Sequence, residues 1–159
     1  MATRSIYLLG LITVVLLLFI SMWLQYMDDF VPCPLCTLQR LTFGLFGILF
    51  FIGIFVHNRK IGRITINFLS LCAAFLGILL AGRQVWLQYF STGNNIECGV
   101  SIQYMLQILS FKEVAQKIFA GSAECTQQGW KFLSLNMAEW SLIWFILLFI
   151  LAGYLLKKR

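Results

Sequence analysis

The side chains best suited to chemistry lie in segment 32–40, which reads Pro-Cys-Pro-Leu-Cys-Thr-Leu-Gln-Arg and contains both prolines of the chain. Proline suits the first helical position, so a helix can begin at Pro34 or just after it. Cys36 then falls in the first turn, where unpaired N–H groups and the positive end of the helix dipole favour a thiolate. Arg40 follows four residues later on the same helix face. The spacing predicts a redox centre in which Cys33 and Cys36 are the thiol pair.

Other uses of a C-x-x-C motif fit this sequence less well. A c-type haem site requires histidine directly after the second cysteine, and Thr37 stands there. A four-cysteine zinc site requires a second ligand pair, whereas Cys98 and Cys125 have no C-x-x-C and no histidine beside them. A thioredoxin-type motif belongs in a βαβ unit, which an all-helical membrane chain lacks. A purely structural disulfide would close too small a ring to stabilise the fold much.

The elements that hold this segment are predicted to be membrane helices. The chain has 159 residues, of which 60% are hydrophobic and 11% charged, and its mean hydropathy is +0.87. This composition indicates an all-α membrane protein. Its apolar runs predict a single domain of four transmembrane helices at about 5–27, 37–56, 64–86 and 139–156. The first run is too long for the core of a cleaved signal peptide, and no small-x-small site follows it.

The charges orient these helices rather than indicating a nucleic-acid-binding protein. Alternating spans place seven basic residues and no acid on one side (Arg4, Arg59, Lys60, Arg63, Lys157, Lys158 and Arg159). The other side carries five basic residues and all six acids. The positive-inside rule therefore predicts cytoplasmic termini and periplasmic segments at about 28–36 and 87–138. The four paired cysteines fall on the periplasmic side, where disulfides persist.

The second periplasmic segment has helical periodicity of its own. Apolar residues recur at helical spacing over 102–109 and again over 111–118, and Ser110 and Glu113 have the spacing of a capping box between them. We expect two short amphipathic helices at the membrane interface. A small soluble subdomain is the alternative interpretation of this segment.

The remaining cysteines are less specific. By themselves, Cys98 and Cys125 indicate a structural disulfide that closes the periplasmic loop and contributes roughly 3–4 kcal/mol. Beside an exposed C-x-x-C on the same side, thiol exchange between the two pairs is the other interpretation. Cys72 is expected to be an inert packing residue in the third helix. Arg40 and Arg83 lie at the periplasmic ends of helices, where they either serve the redox site or snorkel to lipid headgroups.

Several motifs resemble the DsbB family of bacterial inner-membrane disulfide-bond formation proteins, and the resemblance covers nearly the whole chain. They are the Pro-Cys-Pro-Leu-Cys segment with Gln39 and Arg40, Gly-Arg-Gln-Val-Trp-Leu-Gln at 82–88, Cys-Gly at 98–99, Phe-Ala-Gly-Ser-Ala-Glu-Cys at 119–125 and Trp-Lys-Phe-Leu at 130–133. Vitamin K epoxide reductase relatives have the two cysteine pairs in the opposite order. Departures are Ala138, where many members have proline, and Ser134, where glycine is common.

The resemblance implies a four-helix bundle that reoxidises a periplasmic thioredoxin-like oxidase of the DsbA type and passes the electrons to a membrane quinone, ubiquinone or menaquinone. It implies that Cys98 forms the mixed disulfide with the partner and that Cys125 is its mate. Cys33 then connects the two pairs, and Cys36 faces the quinone beside Arg40, with Arg83 as a further quinone-binding candidate. DsbA is a strong oxidant at about −120 mV, so its reoxidation requires a still more oxidising acceptor.

Two other functions stay open at this point. One is a DsbB variant dedicated to a single substrate oxidase, which genome neighbourhood would reveal. The other is a non-enzymatic four-span scaffold with two structural disulfides. A scaffold would be stable without thiol turnover, and Arg40 would tolerate replacement.

Overall fold

The computed structural model describes residues 3–27, 33–90, 113, 131–132 and 134–157. Within them lie four long helices: α1 (Thr3–Met27), α2 (Pro34–Val56), α3 (Lys60–Phe90) and α4 (Met137–Lys157). Each is long and apolar enough to cross a membrane, so the prediction of a four-helix membrane bundle is confirmed. The interfacial helices predicted over 102–118 fall outside the described residues, apart from Glu113, a helical residue.

Helix α2 begins three residues earlier than the apolar run suggested. Cys33 is its N-cap, and Pro34 occupies the first turn, where its missing N–H costs no hydrogen bond. The Cys33 sulfur accepts the backbone N–H of Cys36 at 3.3 Å, and the Cys33 carbonyl accepts the N–H of Thr37 at 3.1 Å. The redox motif therefore forms the end of α2 itself rather than a loop before it.

Helix α3 is longer than its apolar run at both ends. Its 31 residues correspond to about 46 Å of helix, against a hydrocarbon core of about 30 Å. The extra turns add charged residues at the start of the helix and the segment 87–90 at its end. Gln84 is six residues before the end of α3 and lies at the end of the bundle that also carries Cys33.

The bundle is packed around α2 and α3. Helix α3 packs against both α2 and α4, while α1 packs against α2. The rings of Phe43 and Phe145 stack with centroids 4.2 Å apart, and Phe46 and Phe50 are fully buried beside them. Outward-facing side chains are largely apolar and exposed, with Phe55 at 70%. That pattern suits contact with lipid rather than water, since water would disfavour so much exposed apolar surface.

A hydrogen bond inside the bundle joins the first and third helices. The Tyr7 hydroxyl donates to Oδ1 of Asn67 at 2.7 Å, and both side chains are buried. Polar side chains commonly link helices in this way in an apolar medium. This contact fixes α1 at the end of the bundle opposite to Cys33.

A short hairpin and a capping box precede α4, and neither was predicted. Strands β1 (Lys131–Phe132) and β2 (Leu135–Asn136) pair antiparallel, and Ser134 between them has φ of 66°. This left-handed conformation suits glycine better than serine, because glycine has no Cβ to clash with the backbone. Asn136 Oδ1 accepts the N–H of Glu139 at 3.0 Å, and Glu139 Oε2 accepts that of Asn136 at 2.7 Å.

Replacing Asn136 with alanine is expected to lower the free energy of unfolding by about 1 kcal/mol, because a backbone N–H in the first turn of α4 loses its side-chain acceptor. A detergent melting curve measures this loss, and Asn136→Ser, which keeps an oxygen acceptor, should recover most of it. Equal losses in the two variants would show that the side-chain oxygen is not what stabilises the helix start.

Candidate functional site

The two cysteines of the motif lie together at the start of α2. Their sulfur atoms are 2.9 Å apart, close enough for bond formation with a small side-chain rotation. Cys33 is only 4% exposed, whereas Cys36 is half-buried. Cys36 stands in the first helical turn, where the backbone N–H groups and the helix dipole favour negative charge on sulfur. The pair has the geometry of a dithiol and disulfide centre.

A cavity of about 370 Å³ opens beside Cys36, between α1, α2 and α4. This volume lies in the range of small-molecule sites, and its wall is mostly apolar with a few polar groups. The residues that line it are Leu17, Leu18, Ile20, Ser21, Leu24, Cys36, Gln39, Arg40, Phe43, Met137, Ala138, Trp140, Ser141 and Trp144. A small apolar molecule in this cavity would lie beside Cys36.

Arg40 also lines this cavity, and helix α1 holds it there. Its Nε donates to Ser21 Oγ at 2.8 Å, one terminal nitrogen donates to the Ser21 carbonyl at 3.1 Å, and the other donates to Gln25 Oε1. These contacts engage three of the five N–H groups of a guanidinium. Among the described residues no acceptor is seen for the remaining two, and Arg40 itself lines the cavity. Sequence reasoning missed Ser21 and Gln25, although two polar residues four apart in an apolar helix were the signal.

A pair of glutamines joins α2 and α3 beside Cys36. Gln84 Nε2 on α3 donates to the Cys36 sulfur at 3.0 Å, and Gln39 Nε2 on α2 donates to Gln84 Oε1 at 2.7 Å. Both glutamines are buried, at 3% and 4% exposure. Both belong to motifs visible in the sequence, but no pattern in a single sequence indicates that they meet.

The other candidate residues do not join this cluster. Arg83 lies on α3, and that helix contributes no residue to the cavity wall, so its assignment to a quinone site stays a prediction. Cys98 and Cys125 lie outside the residues that the structure describes. Cys72 lies on the exposed face of α3 rather than in a packed interior, so our expectation of a packing role was wrong. The 3.6-residue helical period turns position 72 outward while Ala73 and Ala74 are buried.

Comparison with known proteins identifies the family. The family profile described as "Disulfide bond formation protein DsbB" matches residues 3–155. A Disulfide bond formation protein B from Hahella chejuensis is 34% identical over 146 residues, which cover 92% of this chain and 88% of that protein. Proteins of the same name from Marinobacter nauticus and Chromohalobacter salexigens are 32% and 34% identical to this chain. Both alignments include all of this chain, and they include 95% and 96% of the respective relative. The chain is therefore a multi-pass membrane protein that belongs to the DsbB family of disulfide bond formation proteins.

Proposed function

We propose that this protein is a membrane thiol:quinone oxidoreductase, which reoxidises a periplasmic DsbA-like dithiol oxidase and delivers the electrons to a membrane quinone. The observation that carries the proposal is that Cys36 and Arg40 line one apolar cavity between α1, α2 and α4. A thiol, a fixed cation and an apolar wall are the three features that a thiol:quinone site requires. Membership of the DsbB family supports the thiol-oxidising half of this reaction.

The residues of the cavity fit a quinone ring. The volume of about 370 Å³ suits a small aromatic head group, and Phe43, Trp140 and Trp144 offer flat surfaces for it. Arg40 is the residue that would hold a carbonyl oxygen, through the N–H groups that α1 leaves available. When bound, a quinone supplies the two-electron acceptor that the cysteines need.

The protein's own residues favour both the loss of electrons by the cysteines and the uptake of electrons by the acceptor. Oxidation of the Cys33–Cys36 pair forms one S–S bond and releases two electrons and, with Cys36 as thiolate, the one thiol proton of Cys33. The start of α2 favours the thiolate at Cys36, which is the form that reacts. Arg40 is already positioned by Ser21 and Gln25, so it can stabilise developing negative charge without reorganising. The apolar wall keeps water from competing for that charge.

A second cysteine pair explains how a folded partner reaches this buried centre. Cys33 is 4% exposed, so a protein substrate cannot attack it easily from solution. We assign that contact to Cys98, with Cys125 as its mate, and assign to Cys33 the exchange between the two pairs. The same disulfide exchange chemistry, attack of a thiolate on a disulfide sulfur, serves each step.

The decisive experiment is oxidation of a reduced DsbA-like protein by the purified full chain with a ubiquinone or menaquinone analogue. We expect one disulfide formed per quinone reduced, at a catalytic amount of the chain. A stable, folded preparation that forms no disulfides with either quinone would favour the membrane scaffold instead. Turnover with one substrate oxidase but not with others would indicate a dedicated DsbB variant.

The proposed location is the bacterial inner membrane, with both termini in the cytoplasm and the paired cysteines on the periplasmic side. The seven-to-zero excess of basic over acidic residues on the proposed cytoplasmic side supports this orientation. Reporter fusions after Lys60 and after Arg159 are expected to report cytoplasm, and fusions within 93–128 are expected to report periplasm. A periplasmic signal after Lys60 would overturn the orientation.

Cys98 is expected to be the residue that captures the partner protein. A DsbA-like oxidase that lacks its resolving cysteine should form a stable mixed disulfide with the wild-type chain and none with Cys98→Ser. Non-reducing electrophoresis followed by peptide mapping measures this. Attachment of the partner at Cys33 in the wild-type chain would reverse the proposed order of the two cysteine pairs.

A further inference from the structure

We infer that Gln39 and Gln84 form an amide relay that stabilises the Cys36 thiolate and thereby makes the Cys33–Cys36 disulfide more oxidising. The inference deepens the proposed function and rests on it, since it assigns roles in that reaction to two residues beyond the cysteines and Arg40. Gln84 touches the reacting sulfur and acts on it directly. Gln39 is a positioning residue that acts through Gln84.

The first step of the argument is the contact with sulfur. Gln84 Nε2 lies 3.0 Å from the Cys36 sulfur, and the bond joins two helices, since 48 residues separate the partners in sequence. An N–H donor pointed at sulfur favours the thiolate over the thiol, because a thiolate is much the stronger acceptor. Gln84 supplies this donor from α3, while the backbone of the first turn of α2 favours the same charge from another direction.

The second step concerns the orientation of the Gln84 amide. An amide offers an NH₂ group on one side and an oxygen on the other, and only the NH₂ side stabilises a thiolate. Gln39 Nε2 donates to Gln84 Oε1 at 2.7 Å, which leaves Nε2 of Gln84 to face Cys36. Reversing Gln84 alone would bring two NH₂ groups together. With Gln39 donating from Nε2, the Gln84 amide is held in the orientation that presents a donor to sulfur.

The third step is burial. Gln39 and Gln84 are 4% and 3% exposed, so water screens their bonds little and replaces them poorly when one partner is lost. Both amides are uncharged, so they stabilise negative charge on Cys36 without placing a second cation in the apolar interior. A buried polar pair of this kind is costly unless its members are hydrogen-bonded, and here Gln39 donates to Gln84, which donates to Cys36.

The consequence is a change in redox equilibrium. Reduction of the Cys33–Cys36 disulfide breaks the S–S bond and adds two electrons. With Cys33 as thiol and Cys36 as thiolate, it also takes up one proton. In the proposed reaction the electrons come from the DsbA-like dithiol and leave to the quinone. Stabilising the thiolate product stabilises the reduced pair, so the disulfide becomes a stronger oxidant toward the incoming dithiol.

The test measures this equilibrium directly, without quinone or partner protein. Full-length chain carrying Cys72→Ser, Cys98→Ser and Cys125→Ser retains Cys33 and Cys36 as its cysteines. It is equilibrated in glutathione redox buffers with oxidised glutathione in large excess, and the reduced fraction is read by thiol labelling and by ultraviolet thiolate absorbance. Gln84→Met should lower the equilibrium constant for reduction about tenfold, which is about 30 mV for two electrons, and should decrease the thiolate signal.

Gln39→Met should lower the constant by a smaller factor, roughly threefold, because Gln84 keeps its donor but loses its orientation. The double variant should match Gln84→Met alone, since Gln39 acts only through Gln84. Asn67→Leu is the matched control: it removes another buried amide from α3, about 26 Å away along the helix, and should lower the melting temperature without changing the redox equilibrium. Should Gln84→Met not fold, Gln84→Leu repeats the test with an apolar side chain of different shape.

An unchanged equilibrium in a folded Gln84 variant would overturn the relay. Additive effects of the two glutamine substitutions would also overturn it, since each would then act independently. Because neither quinone nor DsbA-like protein is present, these results stand whether or not the proposed quinone reaction is found. Conversely, a chain that turns over no quinone but shows the tenfold shift would refute the proposed function and leave the relay in place.

Discussion

Replacing Arg40 with alanine is expected to reduce quinone-dependent turnover by about 10²–10³-fold, the loss seen when one preorganised donor for developing negative charge is removed. Arg40 lines the cavity beside Cys36 and is held by Ser21 and Gln25 of α1. Water in a mostly apolar cavity is a poor substitute for this fixed cation. The measurement is quinone-dependent oxidation of a reduced DsbA-like protein, with a melting curve for each variant.

Arg40→Lys is expected to give an intermediate rate, because lysine keeps the charge but lacks the planar, widely spaced donors with which Arg40 contacts Ser21 and Gln25. The matched structural control is Ser21→Ala, which removes one anchor of Arg40 and leaves its charge in the cavity. It should cost much less turnover than Arg40→Ala. Wild-type turnover in Arg40→Ala would make this arginine a lipid contact, and parallel losses of turnover and stability would make it a structural link between α1 and α2.

Serine at Cys36 or at Cys33 is expected to reduce quinone-dependent turnover to background, because a hydroxyl can neither form a disulfide nor transfer its electrons. The loss should be complete rather than partial, since the two sulfur atoms form one centre at 2.9 Å. Melting behaviour should change little, because the substitution replaces one atom with a smaller one. Stopped-flow or steady-state quinone absorbance measures the loss.

Cys72→Ser is the matched control for these variants and is expected to retain full turnover. It lies on the exposed face of α3, away from the residues that line the cavity. Residual quinone reduction in Cys36→Ser would mean that another thiol delivers the electrons. A loss of turnover in Cys72→Ser would mean that the exposed face of α3 takes part in the reaction.

Much of the architecture follows from the sequence, because a membrane imposes a length and a composition on each helix. Four apolar runs were enough to predict the four spans, since every backbone group in lipid must be hydrogen-bonded within its helix. The C-x-x-C motif after Pro32 likewise indicated a thiol pair at a helix start. Even the position of Arg40, one turn beyond Cys36, follows from helical periodicity. Each of these features depends on residues that are close in the sequence, so the sequence alone can predict it.

The ends of the helices were less predictable. Hydropathy marks where lipid contact stops, whereas α3 continues to Phe90 beyond its apolar run. The start of α2 at Pro34 was indicated by the proline and not by hydropathy. The hairpin before α4 was also missed, because two-residue strands lie below any periodic signal. The left-handed φ of Ser134 is a backbone conformation that a serine in the sequence does not indicate.

The tertiary structure alone decided which distant residues complete the site. Arg40 meets Ser21 across 19 residues, and Cys36 meets Gln84 across 48. These contacts depend on which helix faces are apposed, and one sequence carries no record of that pairing. Apolar faces look alike in a bundle surrounded by lipid, so helix packing follows shape and a few polar bonds rather than a hydrophobic stripe. The sequence therefore determined the helices and the redox motif, and the packing determined the cavity, the anchor of Arg40 and the glutamine pair behind Cys36.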